Sequence, residues 1–336
     1  MRPSAKIFLA LCFLLQPLAA LAQDSLEAAL RTDVEFLSSS LCEGRAAGSR
    51  GGVEAAAYIC RRMSAIGYVV AVQSFAIDST RVGHNVMAWS AEGGAPPFGS
   101  SSSGLTPPPL RGGPPEARES GVPENLLIFG VSSRVARPSG GTPPPLTVVM
   151  ACYDGIGLRE GQIYPGADSN ASGVAALLSL AERLRGKDNL LFVFTDARNV
   201  GSRGAEALRA NLKGRRISLL VNLDIIGSSL APVDEYWRDY LIALGADRWR
   251  QSLDRCNAGI GLHLYYEYYR SRNFTALFYR KMGDHAAFVA DGVPTILFTS
   301  GITPNTNKTT DTPETLNYSV FARRVELISK FLNGRK

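Results

Sequence analysis

The stretch that decides the fold begins with Leu146-Thr-Val-Val-Met-Ala-Cys-Tyr-Asp154. Its apolar run, 146–151, predicts a strand that is buried on both faces of a sheet. A helical stripe of Val and Leu residues follows over 172–184, and Leu190-Leu-Phe-Val-Phe-Thr195 repeats the buried-strand pattern. A strand, a helix and a second strand in this order predict a parallel sheet with helices packed against it.

The same alternation continues on both sides of this stretch. Further strands are predicted over 68–75, 85–89, 218–225 and 294–299. Further helices are predicted over 24–39, 52–66, 203–212 and 235–256, and a last one begins at Thr312-Pro313-Glu314. We therefore predict a single α/β domain over residues 23–336, built on a twisted, mostly parallel sheet with helices on both faces.

Length and composition agree with a globular protein. The chain has 336 residues, of which 45% are hydrophobic and 20% charged, and this excludes a disordered chain. The formal net charge is +6, but no dense basic block occurs, so nucleic acid is not a predicted partner. Only three histidines are present, His84, His263 and His285, which limits any metal site.

The first 22 residues are typical of a secretory signal peptide. Arg2 and Lys6 form a short positive region, an apolar run follows over 7–15, and Ala20-Leu-Ala22 is a small-x-small cleavage sequence. We expect cleavage after Ala22 and export of the protein, which would be periplasmic or secreted. No other stretch approaches 18 apolar residues, so no membrane span is expected in the mature chain.

One segment does not fit the alternation of strands and helices. Residues 92–145 contain twelve of the nineteen prolines and ten glycines. Because this composition cannot build a packed core, we interpret the segment as an extended Pro/Gly/Ser-rich insertion within the domain.

Four cysteines remain after the predicted cleavage, too few for a disulfide scaffold. For Cys42 and Cys60, a disulfide and two free buried thiols are both open. Cys152 ends a predicted strand, where it could be an apolar filler, a soft metal ligand or a nucleophile.

Polar clusters follow several of the predicted strands. They are Cys152-Tyr-Asp154, Thr195-Asp-Ala-Arg-Asn199 and Asn222-Leu-Asp224, and a further cluster, 165–173, opens a helix. Sites in sheets of this type form at the carboxyl ends of the strands. We therefore expect these clusters to converge on one pocket.

Several motifs carry a resemblance to a known family over nearly the whole mature chain, apart from the insertion. They are Asp33-Val-Glu-Phe-Leu37, Glu43-Gly-Arg-Ala-Ala-Gly48, Ala57-Tyr-Ile59, Gly166-Ala-Asp-Ser-Asn-Ala-Ser-Gly173, Asn222-Leu-Asp224, Gly283-Asp-His-Ala-Ala-Phe288 and Thr309-Thr-Asp-Thr-Pro313. With them the chain resembles the secreted zinc aminopeptidases of metallopeptidase family 28, the bacterial leucyl aminopeptidase type, whose relatives include glutaminyl cyclases. The resemblance implies the zinc-exopeptidase fold.

The resemblance also implies two zinc ions around a bridging water, held by five ligands, and a glutamate as general base. At the five ligand positions this chain has Cys152, Ser169, Asn199, Asp224 and Asn307, and Arg198 stands at the position of the base. Only Asp224 is of the family type, so no catalytic residue is intact. The expected cofactor is therefore none. The alternative is zinc in a rearranged site formed by Asp224, Cys152 and Asp168.

The side chain of Arg198 favours the first of these alternatives, a site without zinc. A guanidinium stays protonated in proteins, so it cannot accept a proton from a metal-bound water, and it repels a nearby cation. We expect its charge to pair with Asp224, Asp154 or Asp168, the carboxylates directed into the pocket.

The remaining candidate residues are interpreted as follows. Asp284 and His285 belong to an Asp-His-x-x-Phe motif near the pocket, but His285 could equally be a structural histidine. Asp168 and Asn170 are expected to shape a turn and cap the following helix. His84 and His263 receive no role, and an aromatic run is expected to pack in a strand and the pocket rim: Tyr265, Tyr266, Tyr268 and Tyr269.

Three functions remain open from the sequence. The favoured hypothesis is an exported, non-catalytic member of the family that binds peptide termini or another exported protein in the old cleft. The second is an active zinc aminopeptidase with a rearranged metal site. The third is a metal-free hydrolase that uses Cys152.

Overall fold

The computed structural model describes residues 23–90, 144–268 and 271–335. The predicted signal peptide over 1–22 lies outside these ranges. So do all but the last two residues of the predicted insertion over 92–145, and Tyr269 of the aromatic run.

The domain is built on one eight-stranded sheet with the strand order β1-β2-β6-β3-β7-β10-β8-β9, and β4 and β5 form a separate hairpin. The four central strands, β6, β3, β7 and β10, are parallel, whereas β2 and β8 join them antiparallel. At the two edges, β1 pairs antiparallel with β2 and β9 pairs parallel with β8. The mostly parallel sheet is confirmed. The strands are β1 (Val69–Ala76), β2 (Val82–Trp89), β3 (Leu146–Cys152), β4 (Gly157–Arg159), β5 (Gln162–Tyr164), β6 (Leu190–Thr195), β7 (Ile217–Leu223), β8 (Tyr240–Leu244), β9 (His263–Tyr265) and β10 (Thr295–Thr299).

Helices cover both faces of the sheet, as predicted. Alternate residues of β3 point to opposite faces, so that Val149 packs with α1, α2, α3, α5 and α8, whereas Met150 packs on the face that α4 and α7 cover. In the described ranges, no helix is both long and apolar enough to span a bilayer. The helices are α1 (23–37), α2 (Arg50–Ile66), α3 (Ser172–Arg183), α4 (Arg203–Asn211), α5 (Arg250–Asn257), α6 (Arg272–Lys281), α7 (Ala286–Ala290) and α8 (Tyr318–Asn333).

Two helix predictions are wrong. The helix over 235–256 is replaced by β8 and the shorter α5, because the apolar residues of β8 are buried between β10 and β9. The last helix does not begin at Thr312. A short 3₁₀ turn occupies Pro313–Thr315, and α8 begins at Tyr318, where the Asn317 side chain accepts a hydrogen bond from Val320 N.

All four cysteines of the described ranges carry free thiols. The disulfide alternative for Cys42 and Cys60 is therefore wrong. Both side chains are buried in the apolar core on the α2 face of the sheet, and burial raises the pKa of each thiol. They behave as small apolar fillers.

Candidate functional site

The central parallel strands end at one edge of the sheet, and a cavity of about 100 Å³ lies there. Most of the residues that line it are polar, and a group of apolar residues, called the wall below, comes from α6 and the segments after it: Phe278, Met282 and Ile302. Seven of the ten predicted pocket residues line it: Cys152, Asp154, Ser169, Arg198, Asn199, Asp224 and Asn307. The other three, Asp168, Asp284 and His285, are buried beside it and do not line it.

The cavity contains an ion pair between Arg198 and Asp224. Arg198 Nη2 donates to Asp224 Oδ2 at 2.9 Å, and the side chains are 26% and 11% exposed. The carboxylate of Asp224 raises the pKa of the guanidinium further above its ordinary value. Of the three carboxylates that the sequence suggested as partners, Asp224 is the one that the guanidinium contacts. The charge of the guanidinium is permanent.

Asp154 orients the loop that carries Arg198. Its enclosed carboxylate accepts hydrogen bonds from Arg198 N at 2.9 Å, Asn199 N at 3.0 Å and Asn199 Nδ2 at 3.2 Å. Three donors on one carboxylate fix the short 3₁₀ helix Arg198–Val200 after β6. Asp154 therefore positions Arg198 through the backbone and makes no contact with its guanidinium.

Ser169 is held by Asp311, for which the sequence analysis assigned no role. The Asp311 carboxylate accepts from Asp168 N at 2.8 Å, Ser169 N at 3.0 Å and Ser169 Oγ at 2.9 Å. The Asp168 carboxylate points elsewhere, where its Oδ1 accepts from Gly227 N at 2.8 Å and Ser228 N at 3.2 Å. The turn that opens α3 is thus fixed by two carboxylates.

Asn170 joins two strand ends to α3. Its Nδ2 donates to the carbonyl oxygens of Cys152 at 3.1 Å and Leu223 at 3.0 Å, and its Oδ1 accepts from Gly173 N and Ile225 N. A Cβ at Gly173 would lie 2.6 Å from the Leu223 oxygen, so only glycine allows this approach. The amide is fully used, which agrees with the predicted turn and capping role.

His285 is a structural histidine. Its Nε2 donates to the carbonyl oxygen of Tyr279 at 2.9 Å, so Nδ1 is the acceptor for Asn222 Nδ2 at 3.1 Å. Burial lowers its pKa to about 4, which keeps the ring neutral. Because both ring nitrogens are engaged elsewhere, His285 is not a base for Cys152. Burial also raises the pKa of the Cys152 thiol well above its usual range, so the hypothesis of a cysteine hydrolase loses its support.

Asp284 lies buried beside the cavity. Its Oδ2 accepts a hydrogen bond from Thr195 Oγ1, and burial raises the pKa of its carboxyl group. Since the side chain is enclosed, it contributes to the electrostatics of the pocket without a surface that a ligand could contact.

The donor set of the cavity does not fit a zinc ion. Zinc binds thiolate, imidazole and carboxylate, and a catalytic site needs three such ligands. Cys152 has a protonated thiol, and the Ser169 hydroxyl is hydrogen-bonded to Asp311. Asn199 and Asn307 have amides, and the carboxylate of Asp224 is paired with Arg198. Among the residues that the structure describes, no three or more His, Cys, Asp or Glu side chains are grouped to hold a metal ion.

The rearranged set of Asp224, Cys152 and Asp168 does not come together either. The Asp168 carboxylate accepts hydrogen bonds from backbone N–H groups of the 227–228 segment and does not line the cavity.

A fully buried arginine, Arg45, holds together the segments that carry the site. Arg45 donates to the carbonyl oxygens of Tyr153 at 2.9 Å, Pro165 at 2.8 Å and Gly166 at 2.8 Å, and also to that of Leu37. These bonds connect α1, the end of β3 and the turn before α3. The Glu43-Gly-Arg motif marked this residue, but the sequence analysis assigned it no role.

Two buried carboxyl groups predict an unusual dependence of stability on pH. Burial raises the pKa of both Asp154 and Asp168 to about 7. Between about pH 4 and pH 7 these two groups therefore keep protons in the folded state that they release in the unfolded state. Their contribution to the free energy of unfolding should fall as pH rises through this window, by up to about 1.4 kcal/mol per pH unit for each group.

Urea unfolding at about pH 5 and about pH 7.5 measures this dependence. Asp168→Asn keeps the acceptor for the two backbone N–H groups but does not titrate, so its slope should be shallower than that of the wild type. Equal slopes for Asp168→Asn and the wild type would contradict the raised pKa of Asp168, whatever the buried neutral His285 adds to both.

The comparisons with known proteins show the family and the fold of this chain. The sequence matches Peptidase family M28 over residues 135–332, more than half of the chain. No curated protein matches the sequence.

Solved structures share the fold at low sequence identity. LapB from Legionella pneumophila is 16% identical with a TM-score of 0.61, covering 93% of this chain and 74% of LapB. BSAP, a zinc aminopeptidase from Bacillus subtilis, is 12% identical with a TM-score of 0.62, covering 91% and 94%. Porphyromonas gingivalis glutaminyl cyclase is 15% identical with a TM-score of 0.59, covering 93% and 97%. The residues that match the family include helix α3, the central strands and nearly all of α8. This chain therefore belongs to peptidase family M28.

Proposed function

We propose that this protein is an exported member of peptidase family M28 that has lost both zinc ions and the catalytic base. In this proposal it is non-catalytic and binds peptide termini or an exported partner protein in the former catalytic cleft. The observation that carries it is the ion pair of Arg198 with Asp224, at 2.9 Å, inside the cavity. Export rests on the predicted signal peptide over 1–22.

Electrostatics supports the loss of the metal. Asp224, the one ligand of family type, already has a cation bonded to its carboxylate. A divalent ion within about 4 Å of the guanidinium would meet a repulsion of roughly 8 kcal/mol at an effective dielectric constant of about 20. The neutral hydroxyl and amide groups at Ser169, Asn199 and Asn307 do not offset a cost of this size.

The chemistry of the side chains supports the loss of the base. A general base must accept a proton, and Arg198, at the family position, only donates. Its neighbour Asn199 carries an uncharged amide that donates to Asp154. We therefore expect no side chain in the cleft to activate water.

Metal analysis and a hydrolysis assay on the same preparation test the proposal. We expect well under one zinc per chain and no release of amino acids from chromogenic amides beyond the uncatalysed rate. Added zinc and added chelator should both leave this result unchanged. Stoichiometric zinc together with chelator-sensitive hydrolysis would instead establish the alternative, an active zinc aminopeptidase with a rearranged site.

A further inference from the structure

We infer that the cavity binds the C-terminal carboxylate of a peptide and that Arg198 is the residue that binds it. The inference rests on the proposed function, because it needs a cleft without zinc. An aminopeptidase acts at the amino end of its substrate. The ligand inferred here is instead bound by its carboxyl end.

The guanidinium of Arg198 has donors left over. Nη2 donates to Asp224, whereas Nε is enclosed and donates to no acceptor in the described part of the chain. Nη1 likewise makes no hydrogen bond within the described residues. A planar guanidinium that lines a cavity and has a free Nη1 group is suited to a carboxylate.

The carboxylates of the site other than Asp224 are engaged or lie outside the cavity. Asp154 is enclosed and already accepts three N–H bonds, and Asp168 and Asp284 do not line the cavity. Among the carboxylates, an ammonium group would therefore find only Asp224, which is already paired with Arg198. The arrangement favours a ligand that brings an acceptor over one that brings a positive charge.

The wall of the cavity suggests a suitable probe. Phe278, Met282 and Ile302 line one side, and Met282 and Ile302 are exposed there. A leucine side chain can pack against this wall while its carboxylate lies at Arg198. N-acetyl-L-leucine, which resembles the last residue of a peptide, therefore carries the two features that the cavity would recognise.

Isothermal titration calorimetry with three probes tests the inference on the protein without its signal peptide. N-acetyl-L-leucine has the carboxylate alone, L-leucinamide the amine alone and N-acetyl-L-leucinamide neither. We expect N-acetyl-L-leucine to bind at least about tenfold more tightly than the other two. Equal or tighter binding of L-leucinamide, or no binding of N-acetyl-L-leucine at millimolar concentration, would overturn the inference.

A pair of variants assigns the binding to one arginine. Arg198→Gln should weaken the binding of N-acetyl-L-leucine about ten- to a hundredfold, whereas Arg280→Gln, on the outside of α6, should not change it. Arg198→Lys, which keeps the charge but not the planar fork, should weaken it less. Unchanged binding by Arg198→Gln would overturn the assignment.

The metal content of the same sample separates the two proposals. Stoichiometric zinc would contradict the proposed function itself. Metal-free protein that prefers L-leucinamide would contradict only the inference about the carboxylate.

Discussion

Replacement of Arg45 by methionine should lower the free energy of unfolding by about 4 kcal/mol. The side chain is fully buried and bonded to four backbone carbonyl groups, so methionine would leave several of them without a donor. Each unsatisfied buried acceptor costs about 1–3 kcal/mol. Part of this loss is offset, because burial of the guanidinium is itself unfavourable and lowers its pKa.

Arg50→Met is the matched control for this variant. Arg50 lies five residues further along the chain, where it pairs with Glu43 at the surface and is 61% exposed. Its replacement should change the stability by less than about 1 kcal/mol. Urea unfolding of both variants at one pH measures the difference, and equal losses would contradict the supporting role of Arg45.

The second large effect is expected at the ion pair of Arg198 and Asp224. Arg198→Gln or Asp224→Asn alone should each lower the free energy of unfolding by about 2 kcal/mol, because each leaves one charge in the cleft without its partner. We place this below the cost of breaking a fully buried pair, since water reaches part of the Arg198 side chain. The double variant should lose less than the sum of the two.

A double-mutant cycle measures the coupling between the two charges, which we expect to be about 1–2 kcal/mol. The same cycle at Arg209 and Asp291 is the control. That pair has a shorter separation, 2.6 Å, but both side chains are about 40% exposed, so its coupling should be below about 1 kcal/mol. Losses at Arg198 and Asp224 that simply add would contradict the view that the two charges compensate each other.

Much of the fold could be predicted from the sequence, because buried parallel strands have a continuous apolar pattern. The runs at 146–151 and 190–195 were predicted correctly for this reason, and they are strands β3 and β6. The run Tyr240–Leu244 has the same pattern, but it lies between polar residues with helical spacing and was predicted as part of a helix. The three-residue strand β9 is too short to show any periodicity.

The convergence of the site could also be predicted, because the carboxyl ends of parallel strands meet at one edge. The direction of each side chain could not. Asp168 and His285 lie in motifs that were predicted to form the cavity. Their polar atoms are nevertheless hydrogen-bonded to backbone and amide groups outside it. Arg45 and Asp311 act on segments more than a hundred residues away, and no local pattern marks such contacts.

The ion pair in the cleft places a positive charge there that is part of the polypeptide. A bound metal ion has to be acquired from the surroundings and is lost when supply fails or the ligands protonate. The guanidinium of Arg198 is made with the chain and remains charged at every physiological pH. This charge is therefore present in the cleft as soon as the domain has folded.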